Sequence, residues 1–174
     1  VKYEKIYEEL IDNNNLIDNC LAGYYLNQGN QFGFVSSMAS SYTDEVKKRI
    51  INESLIRLVL HKVGHTLGLN HNFKSSYLHN NTRVHNKGIT QEMGLTGSVM
   101  EYPGVNIAPP EKEQGEYYTT TPGPYDKWAI EFGYSTALEN SELETSRINA
   151  ILSRSTAPEL SFANDADDMR AAGK

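Results

Sequence analysis

The clearest pattern in the chain is a run of apolar residues at helical spacing that starts near residue 43. Apolar side chains recur every three or four positions, at Val46, Ile50, Ile51, Leu55, Ile56, Leu58, Val59, Val63 and Leu67. Thr43 is a good N-cap residue, and Asp44 and Glu45 suit the positive end of a helix dipole. Gly68 can adopt the left-handed conformation that ends a helix. The pattern therefore predicts a long helix over residues 43–68.

Two weaker patterns precede this helix. Apolar residues at helical spacing among charges predict a short helix over residues 3–11, which ends at the polar residues 12–15. Residues 31–42, QFGFVSSMASSY, partly alternate apolar and polar side chains, and this alternation predicts an edge strand.

The second half of the chain is more polar at first and then helical. Residues 70–96 are rich in Asn, His and Gly, so we expect an irregular excursion there. Pro124 at a first helical position, followed by YDKWAIEFGY, predicts a helix. Ser141 with Glu144 three residues later forms a capping-box pattern that predicts another helix over residues 141–155. From Ala157 onward we expect an extended, acidic tail.

Length and composition indicate one globular domain. The chain has 174 residues, of which 39% are hydrophobic and 10% aromatic. This size fits a single core, and the apolar content argues against general disorder. We therefore expect residues 1–174 to form one domain.

Charge and cysteine content exclude several classes of protein. The formal charge is -6 without a basic block, so nucleic acid is not an expected partner. Cys20 is the only cysteine, which excludes an internal disulfide and paired-thiol metal sites. No apolar run approaches the roughly 18 residues of a membrane span, so no membrane partner is expected. The first residues, VKYEKIYEEL, also lack the apolar core of a signal peptide.

The segment HKVGHTLGLNH carries the strongest chemical signal. His61 and His65 are four residues apart, so on a helix they share one face and can converge on one ion. If the helix stops at Gly68, the chain can turn and bring His71 back to the same ion. Three neutral imidazoles leave one tetrahedral position open, which is typical of catalytic zinc. We therefore expect a zinc site formed by these three histidines, whereas His79 and His85 are expected to be exposed loop residues.

At these residues the chain resembles the metzincin zinc endopeptidases, whose signature is H-E-x-x-H-x-x-G-x-x-H with a methionine-containing turn downstream. Residues 98–102, SVMEY, look like this Met-turn. The resemblance implies an α+β catalytic domain, with a mixed sheet beside the long metal-binding helix and a C-terminal part that carries the Met-turn and helices. It also implies that Met100 forms an apolar floor beneath the imidazoles and that Tyr102 stabilises the oxyanion.

The chain also resembles a group of large bacterial zinc-dependent metalloproteases first catalogued as proteins of unknown function. This resemblance covers about residues 36–174, through blocks such as GLTGSVMEYPGVNIAPP and FANDADDMRAAGK. Those proteins are longer and carry export signals. The resemblance therefore implies a catalytic fragment of a secreted or periplasmic protein that acts on peptides or proteins.

Position 62 departs from the family signature, because Lys62 stands where the general-base glutamate is expected. That glutamate accepts a proton from the attacking water and passes it to the leaving amine. An ammonium has no lone pair for this task. A neutral Lys62 amine, or Glu101 beside the Met-turn, is a conceivable replacement base.

Two functions therefore remain open from the sequence. The first is a zinc metalloendopeptidase that hydrolyses peptide bonds. The second is a pseudoprotease that retains zinc, or only the fold, and binds a peptide or protein. The sequence does not determine substrate preference or oligomeric state.

Overall fold

The computed structural model describes residues 22–38, 43–164 and 167, and this part of the chain is helical. Five α-helices are described: α1 Ala22–Met38, α2 Asp44–Thr66, α3 Lys87–Met93, α4 Pro124–Tyr134 and α5 Ser141–Leu152. The described residues form no β-strand, so the predicted mixed sheet, and with it the α+β class, is wrong for this part of the chain. The predicted short helix over residues 3–11 lies outside the described residues.

Helix α2 confirms the long helix predicted from the apolar spacing. The Thr43 hydroxyl accepts a hydrogen bond from the Val46 N–H at 3.3 Å, which caps the first turn. The helix ends at Thr66, and Gly68 has a φ of 81°. A positive φ is strained for residues with a Cβ, so glycine allows the chain to reverse here.

The edge strand predicted over residues 31–42 is wrong where the structure describes it, because residues 31–38 belong to α1. α1 packs against α2 through a face that combines the apolar Leu26 with small and polar residues. The Asn30 amide donates to the Ser54 hydroxyl at 3.1 Å, and Gly33 lies against Ile50. Since the residue number rises on α1 as it falls on α2, the two helices are antiparallel.

The chain between the Met-turn and α4 explains why a sheet does not form in this region. Residues 102–119 have no regular secondary structure and include a turn at residues 110–111, and the Asn106 N–H donates to the Tyr117 carbonyl at 2.9 Å. The Tyr117 and Tyr118 N–H groups instead donate to the Glu53 carboxylate of α2, at 2.6 and 3.2 Å. A side chain thus occupies backbone donors that a strand ladder would use.

The main apolar cluster lies where α1, α2 and the irregular segment 102–119 meet. Its buried members are Leu26, Ile50, Tyr117 and Tyr118. The cluster fixes the first half of α2, whereas the metal-binding half of α2 is held by the Met-turn.

The two predicted C-terminal helices are present. α4 begins at Pro124, as the sequence indicates. α5 begins at Ser141, but its N-cap is Asn140, whose side chain accepts from the Glu142 and Leu143 N–H groups. The capping box expected from Ser141 and Glu144 is therefore wrong, and Glu144 pairs with Arg147 instead.

The remaining segments are short turns and helices. Residues 70–96 contain the 3-10 turns Phe73–Leu78 and Arg83–His85, followed by α3, so the excursion is more ordered than expected. The start of the tail forms the 3-10 turn Pro158–Leu160, followed by residues 161–164 without regular secondary structure. Among the described residues, no helix has the length and apolar character needed to cross a bilayer.

Candidate metal centre

The first two histidines of the candidate site are oriented by backbone carbonyls. His61 is fully buried on α2, and its Nδ1 donates to the Val99 carbonyl at 2.7 Å. His65, one turn later, donates from Nδ1 to the Leu69 carbonyl at 3.2 Å. A carbonyl can only accept, so each ring donates from a protonated Nδ1, and in a neutral imidazole this leaves the Nε2 lone pair for a ligand.

The turn at Gly68 returns His71 to the same point. The Nε2 atoms of His65 and His71 lie 3.1 Å apart, and candidate ligand atoms of all three histidines lie within 4.8 Å of one another. Ring centroids are 4.9 Å apart for His61 and His65 and 5.3 Å apart for His61 and His71. The structure thus brings together the three histidines predicted from the sequence.

The arrangement of donors and acceptors fits a cation at the centre of the cluster. Among the described residues, the buried His61 Nε2 has no hydrogen-bond partner. The Nε2 atoms of His65 and His71 face each other, and a cation between them would bind both when each nitrogen carries a lone pair. Two nitrogens of a tetrahedral zinc site lie about 3.3 Å apart, for metal–nitrogen distances of about 2.0 to 2.1 Å. The observed spacing is close to this value.

A buried carboxylate fixes the Met-turn, residues 98–102. Asp126 of α4 accepts hydrogen bonds from the Ser98 hydroxyl at 2.6 Å, the Val99 N–H at 2.8 Å and the Gly123 N–H at 2.8 Å. Burial raises the pKa of the Asp126 carboxyl, and these hydrogen bonds oppose that rise. By holding Val99, Asp126 also holds the carbonyl that orients His61.

Met100 packs against the ligand helix at Gly64. Met100 is fully buried, and a Cβ built at Gly64 would overlap its sulfur atom. Gly64 lies three residues after His61 and one before His65, so this contact is on the ligand-bearing side of α2. The absence of a side chain at Gly64 lets the Met-turn approach the helix closely.

Tyr102 lies at the edge of the histidine cluster. Its hydroxyl is 2.5 Å from His71 Nε2, and its ring centroid is 4.6 Å from that of His71 and 5.1 Å from that of His61. The hydroxyl is therefore close to the point where the three Nε2 atoms converge.

Lys62 and Glu101 occupy different environments beside this cluster. Lys62 is half-buried, and no hydrogen bond or ion pair joins it to another described residue. Glu101 is buried, and its carboxylate accepts from the Tyr102 N–H and the Ser76 hydroxyl at 2.8 and 2.9 Å. Burial raises the pKa of Glu101, while these hydrogen bonds lower it. Both Glu101 oxygens are thus engaged in holding the chain.

The other histidines lie apart from the cluster. His79 and His85 are half-buried rather than exposed, and the His79 Nε2 donates to the Gly94 carbonyl at 2.8 Å. Sequence reasoning missed Asp126 and Gly64 as supports of the site. Asp126 could have been found from its place three residues after Gly123, where a carboxylate caps a helix N-terminus.

Comparison with known proteins identifies a family for this chain. No curated protein and no solved structure matches the chain. A family model described as Met-zincin matches residues 43–173, which include α2, the three histidines and the Met-turn. This match covers most of the chain and agrees with the histidine cluster that the structure describes. The chain therefore belongs to the Met-zincin family.

Proposed function

We propose that this chain is a zinc-dependent metallopeptidase domain whose metal is held by His61, His65 and His71. The observation that carries the proposal is the convergence of three imidazole nitrogens on one point in a Met-zincin chain. When bound there, zinc lowers the pKa of water and polarises a scissile carbonyl. The substrate class that follows is a peptide or protein.

The residues around the histidines then have distinct roles. The Val99 and Leu69 carbonyls hold the His61 and His65 rings so that both present Nε2 to the metal. Met100 supports the helix from below through its contact with Gly64. The Tyr102 hydroxyl, beside His71, donates a hydrogen bond to the oxyanion that develops on the substrate.

Lys62 limits this chemistry, because it replaces the group that transfers the proton. A protonated ammonium cannot accept a proton from the attacking water, and it repels a metal cation nearby. Glu101 does not supply the missing base, since its two oxygens bind Tyr102 and Ser76. We therefore expect the chain to hydrolyse peptides very slowly.

The test is the substitution Lys62→Glu, which restores the carboxylate. General acid–base catalysis by a positioned group contributes about 10² to 10⁴-fold. We expect Lys62→Glu to raise cleavage of a quenched-fluorescent peptide library by at least about 10²-fold, with zinc content confirmed. The matched control is Lys48→Glu, which makes the same charge change at an exposed position in the first turns of α2.

A second function is favoured by Lys62 itself. A chain that keeps the histidines but not the base fits a pseudoprotease that binds a peptide or protein without cleaving it. Equal, negligible activity of the parent and Lys62→Glu, both with zinc bound, would contradict the peptidase proposal and favour this binding module. A chelator-sensitive increase confined to Lys62→Glu would support the peptidase.

We further propose that the domain acts outside the cytoplasm, as the resemblance to exported bacterial metalloproteases implies. Oxidising compartments tolerate a chain with one cysteine, so the composition is compatible with export. Fractionation of cells that express the intact gene product would test this, and recovery of the protein in the cytosol alone would contradict it.

A further inference from the structure

Three successive carbonyl groups of the Met-turn are each held by another part of the chain. They are the carbonyls of Val99, Met100 and Glu101, which bind His61 Nδ1, the Asn72 N–H and the Arg57 guanidinium in that order. His61 is a candidate ligand and Asn72 directly follows another, so the first two contacts tie the turn to the metal centre. Arg57 instead holds the end of the turn, where Tyr102 begins.

Arg57 brings a buried positive charge to this place. It is 1% exposed and lies one helical turn before His61 on α2. Burying a charged group is costly unless its charge and its hydrogen bonds are matched. The matching charge is the carboxylate of Glu101. Burial raises the pKa of the Glu101 carboxyl, whereas its hydrogen bonds and the charge of Arg57 lower it.

Arg57 and Glu101 hold opposite ends of one peptide group. The Glu101 carbonyl and the Tyr102 N–H belong to the same planar unit. Arg57 donates to the carbonyl at 2.5 Å, and the Glu101 carboxylate accepts from the N–H at 2.8 Å. The Ser76 hydroxyl holds the other carboxylate oxygen at 2.9 Å. The peptide group cannot rotate without breaking one of these bonds, so the direction in which Tyr102 leaves the turn is fixed.

This direction places the Tyr102 side chain against the histidines. Its hydroxyl lies 2.5 Å from His71 Nε2, and its ring centroid lies 5.1 Å from that of His61. The phenol is long, so a small rotation of the preceding peptide group moves the hydroxyl further than it moves the backbone. A displacement of about 1 Å in a catalytic site can cost about 10²-fold in rate. The two contacts on the peptide group therefore control the position of the hydroxyl.

We propose that Arg57 and Glu101 are a positioning pair that fixes the Tyr102 hydroxyl beside His71. Neither residue is a candidate metal ligand, and both act through the peptide group that joins Glu101 to Tyr102. The use of Tyr102 as a donor to the oxyanion rests on the proposed function. The placement of its ring is a property of the folded chain and can be measured without metal or activity.

Nuclear Overhauser contacts between the Tyr102 and His71 rings, measured on the full chain with and without zinc, test the proposal. The parent should show this contact, since the two ring centroids are 4.6 Å apart. We expect Arg57→Met to lose the contact, because it removes both the donor and the charge. Arg57→Lys should restore it, because it keeps a cation and a donor.

Two controls separate positioning from a general effect on the fold. Arg49→Met removes a cation from the same helix that also donates to a backbone carbonyl, that of Gly115, so it should leave the Tyr102–His71 contact unchanged. The Tyr125 and Phe162 rings, stacked with centroids 5.4 Å apart, provide an internal reference. Their contact should persist in every variant.

Persistence of the Tyr102–His71 contact in Arg57→Met, or its absence from the parent, would overturn the proposal. Equal loss in Arg49→Met, or no recovery in Arg57→Lys, would also overturn it. If Arg57→Met does not fold, Glu101→Asp decides. It keeps the charge, but its shorter side chain cannot reach both Ser76 and the Tyr102 N–H, so the contact should be lost.

The same spectra distinguish this proposal from the proposed function. A chain that binds no zinc but shows the expected pattern of contacts would contradict the zinc peptidase and support the positioning pair. A chain that binds zinc and keeps the Tyr102–His71 contact in both Arg57→Met and Glu101→Asp would contradict the positioning pair alone.

Discussion

At the scale of single residues, the ring proton of each histidine decides what the cluster can bind. The Val99 and Leu69 carbonyls hold protons on Nδ1 of His61 and His65, so both rings keep an Nε2 lone pair for a cation. Such carbonyl partners orient metal ligands in many proteins. The spacing of the three histidines was readable from the sequence, but the carbonyls that orient them were not.

Removing one ligand should abolish most metal binding. We expect His65→Ala to lose most zinc affinity in a chelator titration, because two imidazoles cannot complete the site. The parent chain should bind one equivalent of zinc. His85→Ala is the control, since His85 lies outside the cluster. Full-affinity zinc binding by His65→Ala would show that the ligand set is wrong.

Met100, which forms the floor of the site, should tolerate replacement by another apolar side chain of similar volume. We expect Met100→Leu to lower the free energy of unfolding by less than about 1.5 kcal/mol, because volume-conserving apolar changes are the mildest in a core. Denaturant unfolding monitored by circular dichroism measures this. Loss of the folded state in Met100→Leu would show that the Met-turn needs the thioether itself.

At the scale of elements, apolar spacing predicted the extent of α2 but not its buried face. Ile50 is the fully buried apolar residue of this helix, whose other buried residues are Glu53, Ser54, Arg57, His61 and Gly64. α1 contacts its neighbours through Leu26, Asn30 and Gly33, while Phe32 and Val35 are exposed. The exposed apolar residues among polar ones gave the partial alternation over residues 31–42 that suggested a strand. The missing sheet has a similar cause, because the Glu53 carboxylate binds backbone donors that a sequence pattern cannot assign.

Gly64 is sensitive to substitution because α2 and the Met-turn approach each other closely at this residue. We expect Gly64→Ala to destabilise the fold, because overpacking against the buried Met100 sulfur costs about 1 to 3 kcal/mol and the helical preference of Ala returns only about 1 kcal/mol. Gly133→Ala in α4 is the control. No atom lies within 4 Å of its added Cβ, so it should be neutral or stabilising by up to about 1 kcal/mol. Equal unfolding midpoints for the two variants would contradict the packing argument.

At the scale of the whole molecule, the metal centre is the point where separate parts of the chain meet. α2 supplies two histidines, the Met-turn supplies the floor and a carbonyl, and Asp126 ties that turn to α4. The sequence identified the first two parts through the family signature. The tie to α4 was not predictable, because it depends on a hydrogen bond between residues 27 positions apart.

Metal binding should therefore stabilise the whole fold. A ligand that binds only the folded state at 100 times its Kd adds about 2.7 kcal/mol. We expect excess zinc to raise the unfolding temperature of the parent chain at constant protein concentration. His65→Ala should show little of this shift. A similar rise in both proteins would indicate that zinc binds elsewhere.

The turn at Gly68 also bears on how the protein reaches its native state. Because this turn keeps all three imidazoles within residues 61–71, their convergence closes only short loops and has a small entropic cost. The Met-turn must come from about thirty residues further along the chain. The segment 61–71, with its three histidines, can thus form while the rest of the chain is still unfolded, and Met100 packs against Gly64 afterwards. Assembly of this centre would begin locally and finish with a long-range contact.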